Sequence, residues 1–362
     1  MTTATQLQRP SAENIYADEL SHLKQWDSHH CPPGWQMSPL AVEKFILGDR
    51  KLSIEKKIVA PREVIGRIII GLATNRGAML VGEPGTAKSW LSELLCAAIS
   101  NQSTLTIQGG AIEQVTQLLY SWNEALLQTE GPSLAALRPG PIYQGMKQGK
   151  LVRFEEIARC TPALQDAILS ILSERMILVP ELSGADGILY AREGFNIVAT
   201  SNSLDEGVNV MSAALKRRLN FETVRPIAKV EDEIGVIYRE SKKMLVQSGV
   251  PLEPDIRIIE VLATIFHELR NGCSLSGRST DRLASTVMST AEAVAVAHAM
   301  GVYAYYYRDS EMQAADMVHF LVGAALKDNE TDRRRMKHYF ETEVANKKGP
   351  IWKEVLNSID LL

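Results

Sequence analysis

The sequence is short of cysteine, of aromatic residues, of net charge and of long apolar runs. Its four cysteines, Cys31, Cys96, Cys160 and Cys273, lie far apart and form no C-x-x-C pair, which argues against both a disulfide framework and a zinc site. Such usage fits a reducing cytosol, so a cytoplasmic protein is expected. A formal charge of -4 leaves no dominant nucleic-acid footprint over the whole chain, although a local basic pore would be compatible with it. The longest weakly polar run, residues 284–307, is rich in alanine and interrupted by Glu292 and His298, which fits a packed helix better than a membrane span. The start, MTTATQLQRPSAENIYADEL, lacks the basic and then apolar pattern of a signal peptide.

What is present is ordinary for a globular protein. The chain has 362 residues, 45% hydrophobic and 23% charged, and at that length two domains are the expectation.

Residues 78–95, AMLVGEPGTAKSWLSELL, organise the rest. A short apolar run suited to a buried strand meets a Gly/Pro turn and then a helical pattern bearing Leu91, Leu94 and Leu95. Gly82, Glu83, Pro84, Gly85, Thr86, Ala87, Lys88 and Ser89 nearly fit G-x-x-x-x-G-K-[ST], a loop whose backbone N–H groups cradle phosphates at a helix N-terminus. Lys88 would reach the β- and γ-phosphates and the Ser89 hydroxyl would hold Mg²⁺. Only Ala87 departs, and its methyl group costs little if φ is negative there because the helix has begun. The plain alternative is a turn between a strand and a helix, but the order of strand, loop, Lys-Ser pair and helix favours the phosphate loop.

Ahead of this loop, Tyr16, Leu20, Leu23 and Trp26 have helical spacing, and Val64, Ile65, Ile68, Ile69 and Leu72 form the stripe of a helix over 61–74. His29, His30 and Cys31 are adjacent, cannot all face one ion without a fourth partner, and are not read as a metal site. Ile58 and Val59 could line an adenine pocket. After the loop, residues 104–107 read as a second strand and 111–128 as a helix ending before Gly131-Pro132.

Residues 150–156, KLVRFEE, form a mostly apolar strand running into two carboxylates. Successive side chains on a strand point to opposite sides, so Glu155 would face Mg²⁺, through water, while Glu156 polarises the attacking water as general base. Such a pair is often a solvated turn; a position downstream of a phosphate loop, with room for one strand and one helix between, favours function. Thr161-Pro162 opens a helix with Leu164, Ile168 and Leu172 on its apolar face. Two β-prone runs around residues 183–187 read as a hairpin. A strand then ends at Ser201-Asn202-Ser203, where Asn202 could bond the γ-phosphate or position water, or could be a turn residue satisfied by its own backbone. Lys216, Arg217 and Arg218 close a short helix, either as a solvated face or as an arginine finger, an element worth about 10³ to 10⁵ in rate.

Together these pieces resemble the MoxR branch of the AAA+ ATPases, and a YehL-like member of it, over residues 55–300. GEPGTAKS is similar to the Walker A segment, LVRFEE followed by IARCTPALQDAILSILSERMI to Walker B and the next helix, and VATSNS to sensor 1, which places the sensor on Asn202. ALKRRLNF sits where the family carries L-D-R-F, implying Arg217 as the finger, with Arg218 second and Lys216 in place of an Asp. SGRSTDRLAST is similar to sensor 2: with Thr280 as N-cap, Arg282 would fall in the first helical turn and lean on the γ-phosphate, Arg278 being the runner-up. Glu155 stands where Walker B normally has Asp, tolerable for water-mediated Mg²⁺ contact and less so for a direct one.

The resemblance implies an α/β fold: a three-layer AAA+ P-loop core with five parallel strands in the order 5-1-4-3-2, and a C-terminal all-α lid. The division would be an N-terminal helical extension (1–50), an αβα nucleotide-binding core (51–226) and a lid with C-terminal extension (227–362). Helices are expected over 230–248, 254–269, 280–300, 312–327 and 331–345, and Arg333, Arg334 and Arg335 as a solvated face. Residues 111–149 would be the helix-2 insert and 176–193 the pre-sensor 1 insert, both facing a pore in ring-forming relatives. The activity implied is ATP hydrolysis with Mg²⁺ in a homo-oligomeric ring, hexameric by resemblance. The ring would act as a chaperone on a protein client such as a von Willebrand A (VWA) domain protein, with no membrane or nucleic-acid partner. The alternatives are a nucleotide-gated scaffold with little turnover, which the Glu155 exchange favours slightly, a DNA-stimulated motor, which the acidic balance disfavours, and a small-molecule kinase, which leaves the acidic pair and distal arginines unexplained.

Overall fold

The computed structural model describes residues 8–202, 209–280, 282–283, 288–326 and 329–362. The chain divides into two compact units, one built on residues up to Gly82 with Ala87–Val224, the other on Arg225–Leu362 with loop residues Glu83–Thr86.

At the centre of the first unit lie five short strands: β1 (Gly77–Gly82), β2 (Thr106–Gln108), β3 (Leu151–Glu155), β4 (Asn196–Asn202) and β5 (Leu219–Thr223). Every pairing between them is parallel, and the sheet runs β5-β1-β4-β3-β2. A parallel sheet must be covered on both faces, and the alternation of side chains shows how. Ala78, Leu80, Leu151 and Val198 join one core cluster with Leu23 of α1 (Ala17–Trp26), Phe45 of α2 (Pro39–Leu47), Ile68 of α3 (Arg62–Leu72) and Leu94 of α4 (Lys88–Ser100). Met79, Val152, Phe154, Ile197 and Ala199 point the other way, into a cluster with Leu164, Ile168 and Leu172 of α5 (Pro162–Glu174). Three layers follow from a period of two along each strand.

The hairpin expected around 183–187 is present, with Met176–Leu178 paired antiparallel to Ile188–Tyr190. The helix expected over 111–128 is not continuous. Val115–Leu118 forms one turn, Tyr120–Trp122 pairs antiparallel with Leu137–Pro139, and a helix resumes at Glu124–Glu130. Tyr120 and Trp122 are strand formers, and the cross-strand partner that captures them lies too far along the chain for local periodicity to register.

The second unit is built chiefly on α6 (Val230–Gln247), α7 (Ile256–Asn271), α8 (Thr290–Arg308) and α9 (Glu330–Thr342) around a core that includes Phe266, Met300 and Phe340, and among the described residues it holds no named strand. The helix expected from Thr280 begins instead at Thr290. Ser289 and Glu292 form a capping box there, a start signal stronger than an isolated Thr. Thr280 follows a turn closed by the Cys273–Ser279 bridge, and its N–H donates to the Gly272 carbonyl at 3.0 Å. Residues 281 and 284–286 of the expected sensor 2 segment, Ser203 of the sensor 1 segment and residue 327 of the expected fourth helix lie outside the described residues. Among the described residues no helix is long and apolar enough to cross a membrane.

A buried ion pair ties three of these helices. Arg270 of α7 forks onto Glu233 of α6 at 2.9 and 2.6 Å, Thr290 of α8 donates to the same carboxylate at 2.6 Å, and Arg270 also donates to the Met288 carbonyl at 2.8 Å. Burial works to raise the Glu233 carboxyl, but hydrogen bonds from His267 and Arg270, the Arg270 charge and the Thr290 hydroxyl outweigh it and hold it below the usual range. A depressed folded value means that the stabilisation is complete above about pH 4.3 and is lost as pH falls through the lower folded value. Glu233→Gln should cost about 3–5 kcal/mol at neutral pH and then lose less on acidification than the unaltered chain, measured by urea denaturation at each pH. Equal acid losses would remove Glu233 from this role.

Candidate active site

β1 ends at Gly82 and α4 begins at Lys88, so the loop between them is fixed at both ends by core elements. Gly85 has φ +75° and Ala87 φ +64°. The expectation of a negative φ at Ala87 is therefore overturned: the helix starts one residue later, and Ala87 is its left-handed N-cap. A side chain in that region costs of order 1 kcal/mol or more, and left-handed residues set between right-handed ones turn successive N–H groups toward one concave side. The buried Lys88 side chain folds back, its Nζ donating to the Gly82 carbonyl at 3.0 Å.

Across from this helix start stands Glu155, the last residue of β3 and 3% exposed. Its Oε2 accepts from the Ser89 hydroxyl and the Thr200 hydroxyl, each at 2.7 Å. Its Oε1 accepts from Ser92 Oγ at 2.7 Å and from Arg153 Nη2 at 2.9 Å. Burial pushes this carboxyl up, but the three hydroxyls and the Arg153 charge more than offset it and keep it ionised below the usual range. One carboxylate thus joins α4, β3 and β4 at the edge of the sheet where the loop lies. Ser92, Arg153 and Thr200 were not singled out from the sequence, though each carried a signal. Ser92 is three residues after Ser89 on one helix face, Arg153 is a charge inside an apolar strand two residues before the acid, and Thr200 precedes Asn202 by two.

Glu156 leaves the strand in a left-handed conformation, φ +55°, so the two carboxylates diverge. Its N–H donates to Thr200 Oγ1 at 3.1 Å, and its carboxylate receives Arg159 Nε at 2.6 Å. Gly109 backs this turn closely enough that an added Cβ would meet the Glu156 carbonyl oxygen at 2.2 Å. Asn202 is the register partner of Gly82, which sets it beside the strand end from which the loop departs. Lys88, Ser89, Glu155, Glu156 and Asn202 are therefore gathered at one edge of the sheet.

The arginines are not. Arg217 caps the helix Ala213–Lys216, its N–H donating to the Ala213 carbonyl at 3.2 Å, and its exposed side chain makes no hydrogen bond or ion pair among the described residues. Arg218 donates from Nε to Ser173 Oγ at 3.0 Å, and its carbonyl accepts the Gly77 N–H at 3.0 Å. Gly77 is the opposite end of β1 from the loop. In the second unit, Arg278 pairs with Glu343 at 2.9 Å, and exposed Arg282 lies in no helix, so the expected first-turn placement of Arg282 is not found.

YehL of Escherichia coli (strain K12) is 50% identical over 347 residues, 96% of this chain and 95% of its own. The chain belongs to the YehL-like AAA+ ATPases. Residues 77–219 match the AAA domain of the dynein-related subfamily, and 231–362 match the YehL-like AAA+ ATPase C-terminal domain. A protein of Staphylococcus epidermidis is 26% identical over 200 residues, 54% of this chain and 73% of its own. Among solved structures, NtrX from Brucella abortus in complex with ADP superposes with TM-score 0.50 at 13% identity, over 84% of this chain and 64% of that one. This likeness is one of fold. Membership in the family supports a nucleotide-dependent activity for the YehL-like chain.

The site also fits the ion that such ATPases use. A hydroxyl and a carboxylate oxygen 2.7 Å apart are hard donors of the kind that hold Mg²⁺ together with phosphate and water. Ala87→Gly is expected to leave stability unchanged or raise it by up to about 1 kcal/mol, because relief of the left-handed methyl offsets the entropy of the new glycine. Thermal melts check this. A loss near 1 kcal/mol, as at an ordinary helical alanine, would show that the conformation at residue 87 is not strained.

Proposed function

We propose that this YehL-like chain is a cytoplasmic, Mg²⁺-dependent ATPase of the MoxR type. It would assemble as a hexameric ring and remodel a protein partner, a VWA-domain protein being the class that the resemblance implies. In this reading residues 1–50 are an extension, 51–226 the nucleotide-binding core and 227–362 the lid. The observation that carries it is the Glu155 carboxylate linking Ser89, at the start of α4, to Thr200 in β4.

The residues divide the chemistry. The loop N–H groups and the Lys88 ammonium hold the β- and γ-phosphates and offset their charge. Ser89 and Glu155 would hold Mg²⁺, which when bound neutralises charge on the phosphate oxygens. Glu156, its backbone fixed by Thr200, takes the proton of the attacking water, and Asn202 orients that water or the γ-phosphate. Arg282, with Arg278 second, would approach the γ-phosphate from the lid.

Arg217 acts on a neighbour, with Arg218 as the second candidate. β1 advances about 3.3 Å per residue, so the roughly 16 Å from Gly77 to Gly82 exceeds the reach of an arginine, and neither residue serves its own protomer's loop. An ATPase completed in trans needs assembly. A second reading, a nucleotide-gated scaffold with little turnover, draws on the Glu156–Arg159 pair, which engages the proposed base at 2.6 Å.

Glu156→Gln should bind ATP normally, lose about 10² to 10⁴ in turnover and accumulate assembled rings on size-exclusion chromatography. Arg217→Ala should lose about 10³ or more, and specific activity of the unaltered chain should rise with protein concentration. Near-zero turnover at every concentration supports the scaffold. Full activity in Glu156→Gln would remove that residue from the base role.

A further inference from the structure

Arg153 is a cation inside a parallel sheet. Its β3 neighbours Leu151, Val152 and Phe154 are apolar and fully buried, and its own side chain is 9% exposed. A guanidinium so placed must have its N–H groups satisfied, and it does. Nε donates to Ser92 Oγ at 3.1 Å and to Glu155 Oε1 at 3.2 Å; Nη2 donates to Glu155 Oε1 at 2.9 Å and to the Ser89 carbonyl at 3.1 Å. Nη1 faces the other way, to Glu93 Oε2 at 3.2 Å and the Ser103 carbonyl at 3.3 Å.

This arrangement gives the two oxygens of Glu155 different tasks. Oε1 is committed to Arg153 and Ser92, which leaves Oε2 aimed at Ser89 and Thr200.

The anchors of Arg153 are themselves held from the N-terminal segment. Glu93 accepts from Arg9 Nη2 at 2.9 Å and from the Ala12 N–H at 3.2 Å. Ser103 donates its N–H and hydroxyl to Glu13 at 3.1 and 2.6 Å. Residues 9–13 therefore touch both groups that hold Nη1, and charge alternates along Arg9, Glu93, Arg153 and Glu155.

We propose that Arg153 is the positioning residue that aims Glu155 at Mg²⁺-nucleotide, and that residues 9–13 set Arg153 through Glu93 and Ser103, so that the N-terminal extension governs the metal site. The inference rests on reading residues 82–89 as the nucleotide site. It makes the extension a working part of that site in place of a surface appendage.

The test uses the full chain carrying Arg153→Lys, Glu93→Gln, or the paired change Arg9→Ala with Glu13→Ala. Each is titrated with a fluorescent ATP analogue in EDTA and in Mg²⁺, alongside a thermal melt. Lys keeps the charge but cannot bridge two carboxylates and two carbonyls at once. Binding in EDTA should stay within about twofold, while the enhancement by Mg²⁺ should fall about tenfold for Arg153→Lys and Glu93→Gln, and several-fold for the paired change, as loss of an outer-shell partner does. Full Mg²⁺ enhancement in the folded variants would overturn the proposal, as would equal losses with and without Mg²⁺. The paired change removes no fully buried side chain, Arg9 being 76% exposed and Glu13 half-buried, and keeps the question open to measurement if a core variant does not fold. No nucleotide binding by the unaltered chain in either condition would overturn the nucleotide-site reading itself, and this proposal with it.

Discussion

The candidate site depends on one buried carboxylate. Glu155 sits between the start of α4 and the ends of β3 and β4, and three hydroxyls and one guanidinium converge on it. An ionised carboxylate out of water is costly unless every lone pair is engaged. The arrangement is therefore close to all-or-none. Losing Ser89 or Ser92 of α4, or Thr200 of β4, weakens a link between elements as well as a contact, while Arg153 comes from the same strand as the carboxylate. The same group that would hold a metal ion also fixes the spacing of the sheet edge that holds it.

The parallel sheet decides which residues can meet that carboxylate. Period-two alternation sends Leu151, Arg153 and Glu155 toward α4, and Val152 and Phe154 toward α5. That alternation was open to sequence reading, and so were the strand, loop and helix of residues 78–95, the acidic pair at a strand end and the hairpin at 176–190, because each is a local pattern with its own turn chemistry. What escaped depends on tertiary partners. Arg153 gains its meaning only from Glu93 and Ser103, which the fold brings beside it from far along the chain. Tyr120–Trp122 became a strand only because Leu137–Pro139 lies across from it. The start of α8 is different in kind, since Ser289-Thr290-Ala291-Glu292 is a capping box in plain sequence and outweighs Thr280 on local grounds.

Two non-glycine residues at the site take left-handed backbone, Ala87 and Glu156, and strain of this sort persists only where neighbours over-determine it. At Ala87 the core strand behind and the core helix ahead leave few other paths. At Glu156 the N–H is bound to Thr200 and the carbonyl is backed by Gly109. In both places the strain separates neighbouring groups that a regular strand or helix would have aligned differently. Lys88 and Ser89 emerge at a helix start, and Glu156 is turned away from the direction taken by Glu155.

The polarity of the sheet sorts the candidate residues between its two ends. Parallel strands bring the carboxyl ends of β1, β3 and β4 together, which gathers Lys88, Ser89, Glu155, Glu156 and Asn202. The same polarity assigns everything just before β5 to the opposite edge, since Leu219 pairs with Gly77 at the start of β1. Arg217 and Arg218 cannot move to the loop edge without breaking the β1–β5 ladder and the Gly77–Arg218 hydrogen bond. A fold that keeps these arginines and still uses one of them on a phosphate has a single geometric solution, a second protomer whose loop edge faces the first protomer's arginine edge. Such a contact would join unlike surfaces, and repeated head to tail it would close a ring or extend a filament according to the rotation at each step.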